Sequence, residues 1–125
     1  MPVGHNGRVV NPFEPARLGR LTLRNRFIKS ATFEGMSPEG AVTDRLVEFH
    51  RTVAAGGAGM TTLAYLAVSE DGQGTPGEIV VKPAAMTGLR ALVDAVHAEG
   101  ALVSAQIGHA GPVAAGAGPQ DGACP

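Results

Sequence analysis

Apolar residues in this chain come in short runs separated by glycine- and proline-rich turns, and the spacing within each run assigns its element. Leu18, Leu21 and Leu23 flank the tight pair Gly19-Arg20, which predicts a short β-hairpin, and Pro12 and Pro15 confine it to an edge. Arg26–Ala31 reads as a strand, closed by the turn-prone stretch Glu34–Gly40. From Thr43 the period lengthens. Leu46, Phe49 and Val53 recur at helical spacing, Val47 and Ala54 widen the stripe, and Gly56-Gly57 ends it. Thr43 is a natural N-cap, and Asp44 suits the positive end of the helix. Met60–Leu66 is β-prone and predicts a second strand. A long loop follows over residues 69–85, with Ile79-Val80-Val81 as a short strand within it. A second helix starts at Pro83 or Thr87 and runs to Glu99, buries Met86, Leu89, Val93 and Val96, and is capped by Gly100. Ala101–Ile107 alternates as a third strand, with Leu102, Ser104 and Gln106 on one face. Residues 1–10 carry no period and read as a flexible arm, and the Gly/Ala/Pro-rich residues 113–125 read as a truncated loop or tail.

The order hairpin, β, α, β, α, β implies an α/β fold in which βαβ units build a parallel sheet. Two architectures satisfy it: a (β/α)8 barrel and an open doubly wound sheet. Composition narrows the function classes. The 125 residues suit one domain, yet with 18 Gly, 9 Pro, no Trp and one Tyr the large apolar side chains are thin for it. A net charge of −1 removes the electrostatic case for nucleic acid as a partner. Neither a membrane-length apolar run nor a secretory leader can be read, and Cys124 has no cysteine partner, so the expected address is the cytoplasm.

Few residues offer chemistry. Gly56-Gly57-Ala58-Gly59 lacks the third glycine of a dinucleotide fingerprint and lies between helix and strand, where that motif needs strand then helix; it reads as a helix cap and tight turn. His5, His50, His97 and His109 have neither metal-ligand spacing nor a cysteine partner. His50 and His97 fall on helices and are expected on solvated surfaces. His109 follows the third strand directly, within Gln106-Ile107-Gly108-His109-Ala110-Gly111. In a parallel α/β fold ligands bind beyond the carboxyl ends of the strands. By position alone, Gln106 and His109 suit a site and a scaffold equally. Ser30-Ala31-Thr32-Phe33 and Ala64-Tyr65 occupy matching places after the first and second strands, so three strand ends form one rim. No Ser-His-Asp set or P-loop can be assembled.

The stretch Asn11-Pro12-Phe13-Glu14-Pro15, continuing through Leu18-Gly19-Arg20-Leu21-Thr22-Leu23-Arg24-Asn25-Arg26, resembles the opening of the old yellow enzyme family of NADH:flavin oxidoreductases. Gly57-Ala58-Gly59-Met60 and the Gln106–Gly111 segment are similar to that family's later motifs, in the same order, so the likeness spans residues 11–112. It implies the N-terminal portion of a (β/α)8 TIM barrel with an N-terminal hairpin, about three of its eight strands being present. It also implies non-covalent FMN at the barrel mouth, with Ser30, Ala31, Thr32, Phe33, Tyr65 and Gln106 as FMN contacts and Gln106 on the pyrimidine edge. The activity implied is that of an ene-reductase. NAD(P)H reduces the flavin, which passes hydride to the β-carbon of an α,β-unsaturated carbonyl compound, a small-molecule substrate; the complete enzyme is compatible with a homo-oligomer.

Two positions depart from the family pattern. Phe33 stands where a polar Thr or Cys that tunes the flavin is common, and Pro112 stands where an Arg usually follows. The family's substrate-binding pair and phosphate loops fall on later strands, so no catalytic residue is assigned within this chain. It is expected to be a fragment inactive alone; the alternative is a non-catalytic remnant that binds no flavin.

Overall fold

The computed structural model describes Gly7 and residues 9–115, so the arm expected at 1–10 and the tail expected at 113–125 lie largely outside the described residues. Strands β1 (Ala16–Leu18) and β2 (Leu21–Leu23) pair antiparallel across Gly19-Arg20, with Leu18 opposite Leu21. Gly19 has φ +58°, the left-handed conformation that a two-residue hairpin turn requires.

A parallel sheet follows: β3 (Ile28–Lys29), helix α1 (Asp44–Ala55), β4 (Met60–Ala67), β5 (Ile79–Val80), helix α2 (Met86–Ala98) and β6 (Leu102–Gly108). Strand β4 is its centre. Both β3 and β6 pair with its Met60-Thr61 end, while β5 and β6 both pair with its Leu66-Ala67 end. Hence β3 and β5 share one edge of β4, and β6 takes the other. Two successive βαβ units, β3-α1-β4 and β4-α2-β6, are the repeating element of the barrel. The first strand is shorter than Arg26–Ala31, because Phe27 and Ser30-Ala31 leave the ladder at either side of Ile28-Lys29.

Helix α1 forms as its residues dictate: the Thr43 hydroxyl accepts from Leu46 N at 3.2 Å, and the chain turns out through Gly57 at φ +105°. Its buried stripe, however, is Leu46, His50 and Ala54, spaced i, i+4, i+8. Phe49 and Val53 sit at its margins, half-buried. This corrects the expectation for His50, which is 0% exposed rather than solvated. In α2, Leu92 and Val96 are fully buried, with Leu89 packed against them; His97 is exposed, as expected. The core lies between the helices and the sheet, around Leu46, Leu63, Leu66, Ile79, Leu92 and Val96.

At the amino-terminal ends of the strands, Arg24 binds the loose ends of both helices. Its guanidinium donates to the carbonyls of Ala58 at 2.8 Å and Glu99 at 2.7 Å, and also to that of Ala54. Asn25 Nδ2 donates to Gly57 O at 2.6 Å. A Cβ on Gly59 would lie 2.8 Å from Asn25 O, so only glycine admits this approach. The chain after β6 is more ordered than a structureless tail: Gly111–Val113 forms a 3-10 turn, Ala114 is buried, and Ala115 N donates to Gln73 O at 2.7 Å.

Candidate functional site

The carboxyl ends of β3, β4 and β6 lie side by side because β4 separates and pairs with both neighbours. In-register partners project to one face, and this sorts the side chains. Lys29, Thr61 and Val103 face the helices; Ile28, Met60, Leu102, Thr62 and Ser104 face the other way, with Thr62 Oγ1 2.8 Å from Ser104 Oγ. Gln106 continues the alternation of Leu102 and Ser104 on the face away from the helices. The ladder is irregular between Leu63 and Leu66, and Tyr65 there is partly exposed.

The six candidate residues divide into two groups. Phe33 and Tyr65 are brought together: their rings stack at 6.1 Å between centroids, 7° from parallel. Tyr65 and Gln106 in turn line one cavity of about 160 Å³, together with Glu78 and His109. Gln106 is exposed, and among the described residues its amide makes no hydrogen bond. Ser30, Ala31 and Thr32 lead into Phe33 without regular structure, and among the described residues their side chains make no hydrogen bonds. Phe33 also lines a larger cavity of about 490 Å³, together with Met36, Thr43, Arg45 and Thr75 among others.

His109 serves the scaffold. Its Nδ1 accepts from Gly111 N at 2.9 Å, which places any proton of the neutral ring on Nε2. The ring packs so closely on Gly72 that a Cβ there would come within 2.6 Å of it, and Ala110 N donates to Gly72 O at 2.8 Å. The loop after β6 is thereby fixed to the loop after β4. Glu78, buried in the same wall, accepts from Gly74 N at 3.0 Å and holds that loop in turn.

Behind the rim lies a polar cluster that the sequence pattern did not single out. Lys29 Nζ is 3.1 Å from Glu34 Oε1, His50 Nε2 is 3.1 Å from the same oxygen, and His50 Nδ1 is 2.7 Å from Thr61 Oγ1. The Glu34 side chain is only 4% exposed and that of His50 0%. The contact from Nε2 is close but off the hydrogen-bond line. Burial pushes the Glu34 carboxyl up, but the adjoining His50 and Lys29 side chains outweigh it and hold the carboxyl below its ordinary value. A signal was available: His50 lies four residues from both Leu46 and Ala54, squarely on the apolar stripe. Among the described residues no three His, Cys, Asp or Glu side chains gather as a metal site, and no helix is long and apolar enough to cross a membrane.

Residues 11–125 match the NADH:flavin oxidoreductase / NADH oxidase family. Over 102 residues the chain is 64% identical to the 4,4'-dithiodibutanoate disulfide reductase of Rhodococcus erythropolis, which covers 82% of this chain and 25% of the relative. It is 41% identical to a metal reductase of Desulforamulus reducens, covering 79% of this chain and 15% of that protein. The chain thus spans a quarter or less of these relatives. Among solved structures, a 2-naphthoyl-CoA reductase complex superposes with a TM-score of 0.78 at 32% identity, over 83% of this chain and 16% of that one. Morphinone reductase in complex with tetrahydroNAD gives 0.74 at 26%, over 85% and 29%. The old yellow enzyme from Trypanosoma cruzi gives 0.70 at 29%, over 82% and 28%. The matched part extends past residue 112, where the motif resemblance ended.

Proposed function

Because the chain belongs to the NADH:flavin oxidoreductase / NADH oxidase family, we propose that it contributes the first wall of an FMN site in an NAD(P)H-dependent reductase. The observation that carries this reading is the contiguity of Phe33, Tyr65 and Gln106 at three adjacent strand ends. The residues fit the group. Gln106 offers a carbonyl and an NH2 with no bonds to other described residues, matching the alternating acceptors and donor of a flavin pyrimidine edge. Ser30, Ala31 and Thr32 are small enough for their backbone to approach a flat ring, and the Phe33–Tyr65 pair walls it off from water. When bound, FMN supplies a two-electron carrier between NAD(P)H and substrate. What this chain adds is binding, orientation and exclusion of water; no proton donor to the substrate is assigned within it.

The substrate expected from the family resemblance is an α,β-unsaturated carbonyl compound. A second reading rests on the 64% identity to a disulfide reductase. In it, one disulfide, one NAD(P)H and one proton give two thiols and NAD(P)+. The test is a chimera in which residues 11–112 replace the matching segment of the Rhodococcus disulfide reductase. Retention of FMN with turnover in the chimera supports the proposal for residues 11–112. A folded chimera that purifies without flavin and cannot be reconstituted would favour the non-catalytic remnant and overturn it.

A further inference from the structure

Ser30, Ala31, Thr32 and Phe33 have no strand or helix of their own to hold them, yet a flavin-facing segment must be held still to act as a wall. They are strung between Lys29 and Glu34, whose side chains meet at 3.1 Å and close the segment into a short loop. We propose that the Lys29–Glu34 pair, seated on His50 and Thr61, is a clamp that positions Ser30–Phe33 for the flavin, making Lys29, Glu34 and His50 positioning residues of the reductase.

Each contact supports that role rather than general stability. Lys29 Nζ also donates to Ser30 O at 3.1 Å and to Thr62 O at 3.2 Å, so it grips the first residue of the segment and the neighbouring strand at once. The Phe49 ring lies 5.5 Å from the same ammonium, on the helix side. Glu34, at the other end of the segment, is buried by α1 and touches His50, which the Thr61 hydroxyl fixes in turn. The clamp therefore refers the loop to β3, β4 and α1 together. A buried ion pair adds little to stability against an apolar alternative, but it specifies one geometry. Ordering here is worth having because four residues lacking regular structure would otherwise lose backbone freedom only when the flavin binds.

This inference rests on the FMN reading, and its experiment separates the two. In the FMN-loaded chimera, Glu34→Gln keeps the shape of the side chain and removes its charge. The FMN dissociation constant is expected to rise roughly tenfold, and the visible circular dichroism of the bound flavin to change as its surroundings loosen. Lys29→Gln opens the same clamp from its more exposed end, so it must reproduce both effects even if Glu34→Gln folds poorly. Because the two changes share the Lys29–Glu34 contact, the double variant must weaken binding by less than the sum of the single ones. Glu48→Gln, on an exposed pair of the same helix, is the control and leaves both readouts unchanged. A lowered melting temperature with unchanged dissociation constant and flavin dichroism would show a merely structural cluster and overturn the clamp while leaving the FMN reading intact. A parent chimera without flavin would overturn both.

Discussion

Arg24 and Asn25 at one end of the parallel strands and Gln106 at the other use their polar groups in opposite ways. At the amino-terminal end, Arg24 and Asn25 spend their donors on the carbonyls of Ala54, Gly57, Ala58 and Glu99, inside the protein. At the carboxyl end, Gln106 is exposed with its amide unengaged among the described residues, and Phe33 and Tyr65 stack at the surface. Groups that complete the scaffold find partners within it. An exposed amide such as that of Gln106 is served by water, and under the FMN proposal it is the group a ligand would engage.

That contrast can be broken in several ways. The largest effect is expected from testing the chain on its own, without the further strands that its relatives carry. The isolated 125-residue chain, titrated with FMN and followed by flavin fluorescence, should show no saturation in the low-micromolar range, since a family phosphate grip lies on other strands. Saturation there would show that the rim alone suffices. Next, Arg24→Ala in the chimera should lower unfolding free energy by about 2–4 kcal/mol, because it orphans carbonyls at the ends of both helices. Urea denaturation measures this, and FMN affinity of the protein that stays folded should hardly move.

Gln106→Ala should behave in the reverse sense. Nothing among the described residues depends on its amide, so the melting temperature should hold while FMN affinity falls by roughly 5- to 150-fold, the equivalent of about 1–3 kcal/mol for an unpaired polar group. An unchanged dissociation constant with lost stability would move Gln106 from the ligand to the scaffold. The smallest effect concerns acid. Glu34 has its folded-state pKa lowered by His50 and Lys29 against the pull of burial, so its contribution to stability is present above the ordinary glutamate value and is lost as pH falls through the lower, folded value. Unfolding free energies from about pH 7 down to about pH 3 should therefore drop less steeply in Glu34→Gln than in the parent.

Local sequence carried much of this. The Gly19-Arg20 turn, the Thr43 cap, the Gly56-Gly57 stop and the alternation of β6 are short-range effects of backbone freedom and side-chain spacing, and each is legible within a few residues. The order of strand ends was legible as well, since it follows from element order: Phe33 stacks on Tyr65, and Tyr65 shares a cavity wall with Gln106. The burial of His50 was signalled by its place between Leu46 and Ala54, but its partners were not legible: Glu34 from one side and Thr61 from the other make that burial tolerable.

By itself, then, the sequence determined the elements, their βαβ order and the motifs that mark the family, since these depend on residues near one another in the chain. Only the tertiary structure decided which polar residues are satisfied and which are left open. Arg24 meets carbonyls 30, 34 and 75 positions away, and Thr61 reaches His50 from a different element. Whether a buried donor or acceptor finds a partner at such distance is fixed by how the layers pack, and no periodicity along the chain records it.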